Sequence, residues 1–400
     1  VYFLAERQVG FSTCRLHFYK QQKKSMKILY RMVIAAMAVL GPVGCSTKKE
    51  QEQKQVASKE PLSIIFMIGD GMGVPQVSSA YYFGDSLPNF SRFKQIGFHQ
   101  TSATDYTITD SAAGATAFST GEKTYKRAIG VSSDSLPRET ILEQLQEQGY
   151  QTGLISLTTI THATPASFYA HVTDRDMHEE IAAQLIDVEV DFFAGGGKKF
   201  FNQREDGKDL FAELLSKNYH LDTLELSKPE TGKKNAYVLA DEGIPSKIEG
   251  RGDYLSEATK MALDYFNRKE APFFMMVEGS YIDWGGHAKD AEMMISEVLD
   301  FDKTLGVVLD YVKANPNTLL VVTADHETGG VSIGKHYQMD ESTGEKKEVP
   351  EKVSVYFNTD QHSGELIPVF ANGQGAENFQ GIYENNEIYH KMLKTLNQAK

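Results

Sequence analysis

The chain has 400 residues, 41% of them hydrophobic and 24% charged, which is the ordinary globular range and excludes disordered, collagen-like and coiled-coil classes. Its net charge of −13 argues against nucleic acid as a partner, because no basic stripe is segregated from the acidic background. Only Cys14 and Cys45 are present, so neither a disulfide framework nor a cysteine-based zinc module builds the fold, and any metal must be held by His, Asp and Glu.

Residues from Met26 have the grammar of an export signal: a basic start in Lys27 and Arg31, a short apolar run over 32–40, and small residues before Cys45. The apolar run is shorter than the roughly 20 residues of a membrane-spanning helix. A cysteine after small residues resembles a lipobox, with Pro42 where the usual Leu stands, and predicts a lipoprotein anchored through Cys45 at the periplasmic face or cell surface. The chain opens with Val, so Met26 is the expected start and residues 1–44 are set aside from the fold. They carry 7 of the 41 basic residues and 1 of the 54 acidic ones, leaving the remainder at net −19. Residues 45–60, rich in Lys, Glu, Gln and Ser, read as a solvated tether.

One catalytic domain is expected over 61–400. Residues 64–68, 152–157, 273–277 and 319–323 are continuous apolar runs of strand length, as in strands buried on both faces of a mostly parallel sheet. Amphipathic stretches lie between them, such as one opened by Pro137 and closed by Gly149. The layering is α/β, a three-layer sandwich of helices on both faces of a large, mostly parallel sheet. Residues 330–356, polar and charged, read as a short surface insertion.

Each apolar run ends in polar residues, and ligand sites of open α/β sheets lie past the carboxyl ends of strands. Asp70 follows the first run, Asp283 and His287 the third, and Asp325 and His326 the fourth, with His362 further on. Carboxylates and imidazoles in this number suit zinc, which takes about four such donors. A second element, residues 109–117, reads as a small-residue helix opening at Asp110 and Ser111, whose first N–H groups would favour an anion. Taken alone, Asp110 or Ser111 reads equally well as a helix N-cap.

The segments Asp70-Gly71-Met72-Gly73, Thr109-Asp110-Ser111-Ala112-Ala113, His162-Ala163-Thr164-Pro165, Ala170 through Arg175, Glu278-Gly279 with Asp283 and His287, Asp325 through Gly330, and His362-Ser363-Gly364 together resemble the alkaline phosphatases, in that family's order and over 64–362. The resemblance implies hydrolysis of phosphate monoesters through a phosphoserine intermediate, with Ser111 as nucleophile and Arg175 as phosphate clamp. It implies one zinc on Asp70, Asp325 and His326, a second on Asp283, His287 and His362, and a magnesium on Asp70, Thr164 and Glu278. A homodimer is implied as well. Such a site suits the reaction, because a phosphate dianion repels nucleophiles and is best met by fixed positive charge and aligned reactants.

His162 stands where some family members carry Asp, and Trp284 where others place Lys or His; with Asp110 they are the neighbours expected to modulate the site. His171 reads as support for the segment before Arg175, and Gly195-Gly196-Gly197 as a turn, since no Lys-Ser/Thr follows in P-loop register. The alternatives are a phosphodiesterase or nucleotide pyrophosphatase on the same scaffold, and a surface lipoprotein that binds phosphate or metal without turnover. A sulfatase is disfavoured, because Ser111 is followed by Ala-Ala-Gly.

Overall fold

A computed structural model describes residues 61–399. The expected signal, Cys45 and tether lie outside the described residues. Among the described residues, ten strands form one sheet: β1 (Ser63–Gly69), β2 (Gln95–Gln100), β3 (Gln151–Thr159), β4 (Phe192–Gly196), β5 (Tyr219–Asp222), β6 (Lys234–Val238), β7 (Phe273–Gly279), β8 (Thr318–Thr323), β13 (Ile367–Gly373) and β14 (Gly381–Glu384). Between β8 and β13 come two-residue β9 (Glu327–Thr328) and β12 (His362–Ser363), paired with each other, and the antiparallel hairpin β10 (Val331–Met339) and β11 (Lys346–Phe357). The order across the large sheet is β14-β2-β13-β8-β1-β7-β3-β4-β6-β5, and only β13 runs against its neighbours.

The four apolar runs are the adjacent parallel strands β8, β1, β7 and β3. Side chains of a strand alternate between faces, and β1 divides its own accordingly. Ile64, Phe66 and Ile68 enter one core with Phe118, Leu142, Leu185 and Met392, whereas Ile65 and Met67 enter the other with Val77, Leu255, Val298 and Phe301. Both faces are thus covered by helices, the three-layer arrangement expected of continuous apolar strands.

One boundary differs from the sequence expectation. The helix after Pro137 begins only at Ile141, because Thr140 caps it through a reciprocal pair with Glu143. Pro137 sits instead in an isolated bridge to Val131. Residues 330–356 form most of the β10–β11 hairpin, outside the ten-stranded sheet. Among the described residues no helix is long and apolar enough to cross a membrane.

Candidate active site

The carboxyl ends of β8, β1, β7 and β3 deliver their residues to one place. Asp70 leaves β1 in a turn that needs glycine next: Gly71 has φ +71°, and a side-chain carbon there would meet Asp283 Cα at 2.7 Å. β7 ends beside Glu278 and leads into the Tyr281–His287 helix, which carries Asp283 and His287 four residues apart on one face. Asp325 and His326 follow β8, and β12 sets His362 opposite Thr328.

Two donor sets result. In the first, His326 Nε2 lies 3.5 Å from Asp70 Oδ1 and 3.3 Å from Asp325 Oδ2. In the second, Asp283 Oδ1 lies 3.4 Å from His287 Nε2 and 3.6 Å from His362 Nε2. The sets share a wall, because the His326 and His362 rings stack with centroids 3.5 Å apart. A third group joins Asp70, Glu278 and His162, with one donor atom of each within 4.8 Å of the others.

Hydrogen bonds on the far side of each imidazole fix its tautomer. His287 Nδ1 donates to the Asp360 carbonyl at 2.6 Å and His362 Nδ1 to the Thr109 carbonyl at 2.9 Å. Thr328 Oγ donates to Asp283, so it accepts from His326 Nδ1 at 3.2 Å. All three rings then turn an Nε2 lone pair inward, the orientation of metal-ligating histidines. His287 Nε2 and His362 Nε2 meet at 3.1 Å, where two lone pairs repel unless a cation lies between them.

The acids point the same way. Both oxygens of Asp70, Oδ2 of Asp325 and Oε1 of Glu278 are buried without a hydrogen-bond partner, although Glu278 Oε2 accepts from Ser156 and Ser280 at 2.6 and 2.7 Å. Burial, reinforced by the neighbouring carboxylates, pushes Asp325 up to about 7 and Asp70 well above the usual carboxylate range. Glu278 is raised by burial against the pull of Ser156, Ser280, the Thr164 hydroxyl and Arg175. Burial, and then the other imidazoles, hold His326 well below its ordinary value. Unpartnered buried oxygens and inward lone pairs are donors that fit divalent cations.

Ser111 opens the Ser111–Thr120 helix, with Asp110 as its N-cap accepting from the Ala113 N–H. Ser111 Oγ is 3.3 Å from His326 Nε2, at the shared wall. Arg175 arrives from the loop after residue 172; its Nη1 donates to Asp110 Oδ2 at 3.2 Å and its Nη2 to His162 Nε2 at 3.2 Å. Those bonds aim the guanidinium and leave it further N–H groups.

The relatives of the chain accord with this geometry. A sequence profile for alkaline phosphatase matches residues 62–360 and 332–398. The chain belongs to the alkaline phosphatase family. Alkaline phosphatase 4 of Bacillus subtilis is 30% identical over 94% of this chain and 98% of its own length. Escherichia coli alkaline phosphatase is 28% identical over 85% and 87%. The solved alkaline phosphatase of the Antarctic bacterium TAB5 is 44% identical, with a TM-score of 0.81 over 85% of this chain and 98% of that one. A variant of that enzyme with a His replaced by Asp has magnesium bound in its M3 site. This member of the family is accordingly a phosphatase enzyme.

The structure brings together Asp70, Asp283, His287, Asp325, His326, His362, Glu278, Ser111, Arg175, Asp110 and His162, with Thr164 beside Glu278. The Trp284 ring is 44% exposed and packs on Tyr281, centroids 4.6 Å apart. Successive helical residues point about 100° apart, so a neighbour of buried Asp283 faces elsewhere. His171 bridges the Gly130 carbonyl and Glu143, a structural post. Sequence reasoning gave no role to Arg127, whose N–H donates to Asp110 and whose side chain grips Asp174 and Asp176 on either side of Arg175. Its φ of +74° and the distance in sequence left no local signal. Glu327 was visible only as one letter of a matching motif.

Proposed function

We propose that the enzyme hydrolyses phosphate monoesters by way of a phosphoserine on Ser111, in a site that holds two zinc ions and one magnesium. Asp70, Asp325 and His326 would hold one zinc, Asp283, His287 and His362 the other, and Asp70, Thr164 and Glu278 the magnesium. The single observation that carries the reading is the convergence of three inward imidazole lone pairs and several unpartnered carboxylate oxygens on the wall where Ser111 Oγ lies. When bound, the ions supply positive charge that neutralises the phosphoryl oxygens and lowers the pKa of the attacking hydroxyl.

The chain's own part begins with Arg175, whose planar fork binds two phosphoryl oxygens while Asp110 and His162 keep it aimed. Ser111 Oγ attacks phosphorus, the bond to the ester oxygen breaks, and the alcohol leaves with a proton. The positive end of the Ser111–Thr120 helix favours the charge on the phosphorylated serine. Water then attacks phosphorus, releasing inorganic phosphate and restoring the Ser111 hydroxyl. Activity rises above neutral pH, because the attacking oxygens must lose protons.

The test is acid trapping of enzyme incubated with labelled monoester. Label on Ser111, absent in Ser111→Ala while that variant keeps its full zinc content, is the expected result; label on another residue overturns the assignment. Parallel assays on a chromogenic monoester and its diester, with and without chelator, separate this reading from a phosphodiesterase. The proposal includes export with a lipid on Cys45, and assembly as a homodimer. Membrane partitioning that Cys45→Ala does not reduce refutes the anchor, and a monomeric sedimentation profile of active enzyme refutes the dimer.

A further inference from the structure

Glu327 is fully buried, immediately follows His326, and is not one of the donors assembled above. Its two oxygens accept four hydrogen bonds. Oε1 takes Gln76 Nε2 at 2.8 Å and the Val331 N–H at 2.9 Å. Oε2 takes the Gly330 N–H at 3.1 Å and the Ser363 hydroxyl. Four donors saturate a carboxylate, and they come from different stretches of chain.

Those stretches carry the donor sets. Gln76 lies in the Val74–Phe83 helix that continues the Asp70–Gly73 turn, and its Nε2 also donates to the Thr328 carbonyl at 2.9 Å. The turn itself is seated on Glu327: a side-chain carbon on Gly73 would come within 2.4 Å of Glu327 Cγ. Ser363 adjoins His362 on a two-residue strand that, among the described residues, is laddered to Glu327–Thr328. Gly330 and Val331 begin the hairpin that leads on toward His362.

We propose that Glu327 is a positioning residue, whose carboxylate fixes the Asp70, Asp325–His326 and His362 segments at one mutual spacing and thereby sets the distance between the two cation sites. The proposal rests on the metal reading given above. Its chemistry is that of outer-shell groups, which hold ligands in place without touching the ion, and whose loss costs about 10- to 100-fold in metal affinity. Glutamine in place of Glu327 keeps the shape but presents an NH2 group to two of the four donors. Donor would then face donor, and the segments would have to separate.

The experiment is cobalt(II) titration of metal-free protein, read by the visible absorption of the bound ion, for wild type, Glu327→Gln, Ser363→Ala and Gln76→Met. Thermal melting of each metal-free protein runs alongside. Wild type is expected to bind cobalt with a defined spectrum. Glu327→Gln should bind at least one equivalent about tenfold or more weakly, with a displaced band, and the two milder variants should bind about three- to tenfold more weakly. Should Glu327→Gln not fold, Ser363→Ala and Gln76→Met decide. Lowered melting temperatures with unchanged cobalt affinity and spectrum would reduce Glu327 to structural glue and overturn the proposal. If wild type itself takes up no cobalt, the metal reading falls and this inference falls with it.

Discussion

Glu297 and Asp300, on the Ala291–Ala314 helix, are as deeply buried as Asp70 and Asp325, yet the two groups are treated oppositely by their surroundings. Glu297 receives both terminal nitrogens of Arg251, at 2.7 and 2.5 Å, and Asp300 receives Arg251 at 2.8 Å and Lys247 at 2.6 Å. Cations of the chain itself complete that network. Around Asp70 and Asp325 lie other acids and imidazoles; Asp325 Oδ1 accepts the Gly71 and His326 N–H groups at 3.3 and 3.2 Å, but both Asp70 oxygens and Asp325 Oδ2 are buried without a hydrogen-bond donor. Burial of charge is therefore not what marks the active site; burial of charge without a counter-charge is.

The largest test of that contrast is removal of metal. Chelator should abolish monoesterase activity by on the order of 10³-fold or more, since ions of this kind contribute several kcal/mol to the transition state. It should also lower the melting temperature, and zinc with magnesium should restore both. A chelated enzyme that retains activity and melting temperature would mean that the acid cluster is balanced in a way the geometry does not reveal.

Breaking the balanced cluster should act on stability alone. Glu297→Gln leaves Arg251 buried with part of its partnership gone, and a cost of about 3–5 kcal/mol is expected in denaturant unfolding. A change below about 1 kcal/mol would show that the network contributes little net stability.

The unbalanced cluster gives a pH dependence of definite sign. In metal-free protein Asp325 is pushed up to about 7, while an Asp in an unfolded chain titrates near roughly 3.9. Below about pH 4 both states hold the proton and the group has no effect. Between about 4 and 7 the native state keeps a proton that the unfolded chain has lost, so stability falls as pH rises, by roughly 2–4 kcal/mol in all. Asp325→Asn should flatten that slope. With metal bound the slope should reverse, because cations and protons compete for the same oxygens. Melting curves from pH 4 to 8, with and without metal, decide it.

Much of this is legible in the amino-acid sequence. Strands β1, β3, β7 and β8 declare themselves because burial on both faces requires unbroken apolar runs, and the site residues follow them directly in sequence. Ser111 and its cap were visible for a similarly local reason. What was hidden is non-local. The tautomers depend on the Asp360 and Thr109 carbonyls, and the four partners of Glu327 come from three stretches of chain. Thr140 displaced Pro137 as the helix start because its pair with Glu143 satisfies N–H groups that a proline merely omits. The packing of the Trp284 ring on Tyr281 is likewise not written in its place beside Asp283.

His162 stands between charge that is balanced and charge that is not, and the smallest expected effect belongs to it. Its Nε2 faces Arg175 Nη2 at 3.2 Å, and arginine can only donate, so Nε2 must accept and Nδ1 must carry the proton. Burial, and then Arg175, hold the ring neutral by keeping it well below its ordinary value. Nδ1 is buried without a partner, so its hydrogen is aimed at nothing. A neutral ring with one nitrogen committed to Arg175 and the other protonated is a poor donor to a cation beside Asp70 and Glu278. Aspartate at that position would offer two oxygens and a negative charge to the same place. His162→Asp should therefore tighten magnesium activation by about tenfold, equal to roughly 1.4 kcal/mol. Phosphate inhibition should shift as well, because Arg175 exchanges a neutral neighbour for an anion that pulls its guanidinium toward the third group. Magnesium titration of zinc-loaded enzyme measures the first effect. An unchanged half-saturation would mean that the ring swings aside when magnesium binds, and that Asp70, Thr164 and Glu278 alone set the affinity of that site.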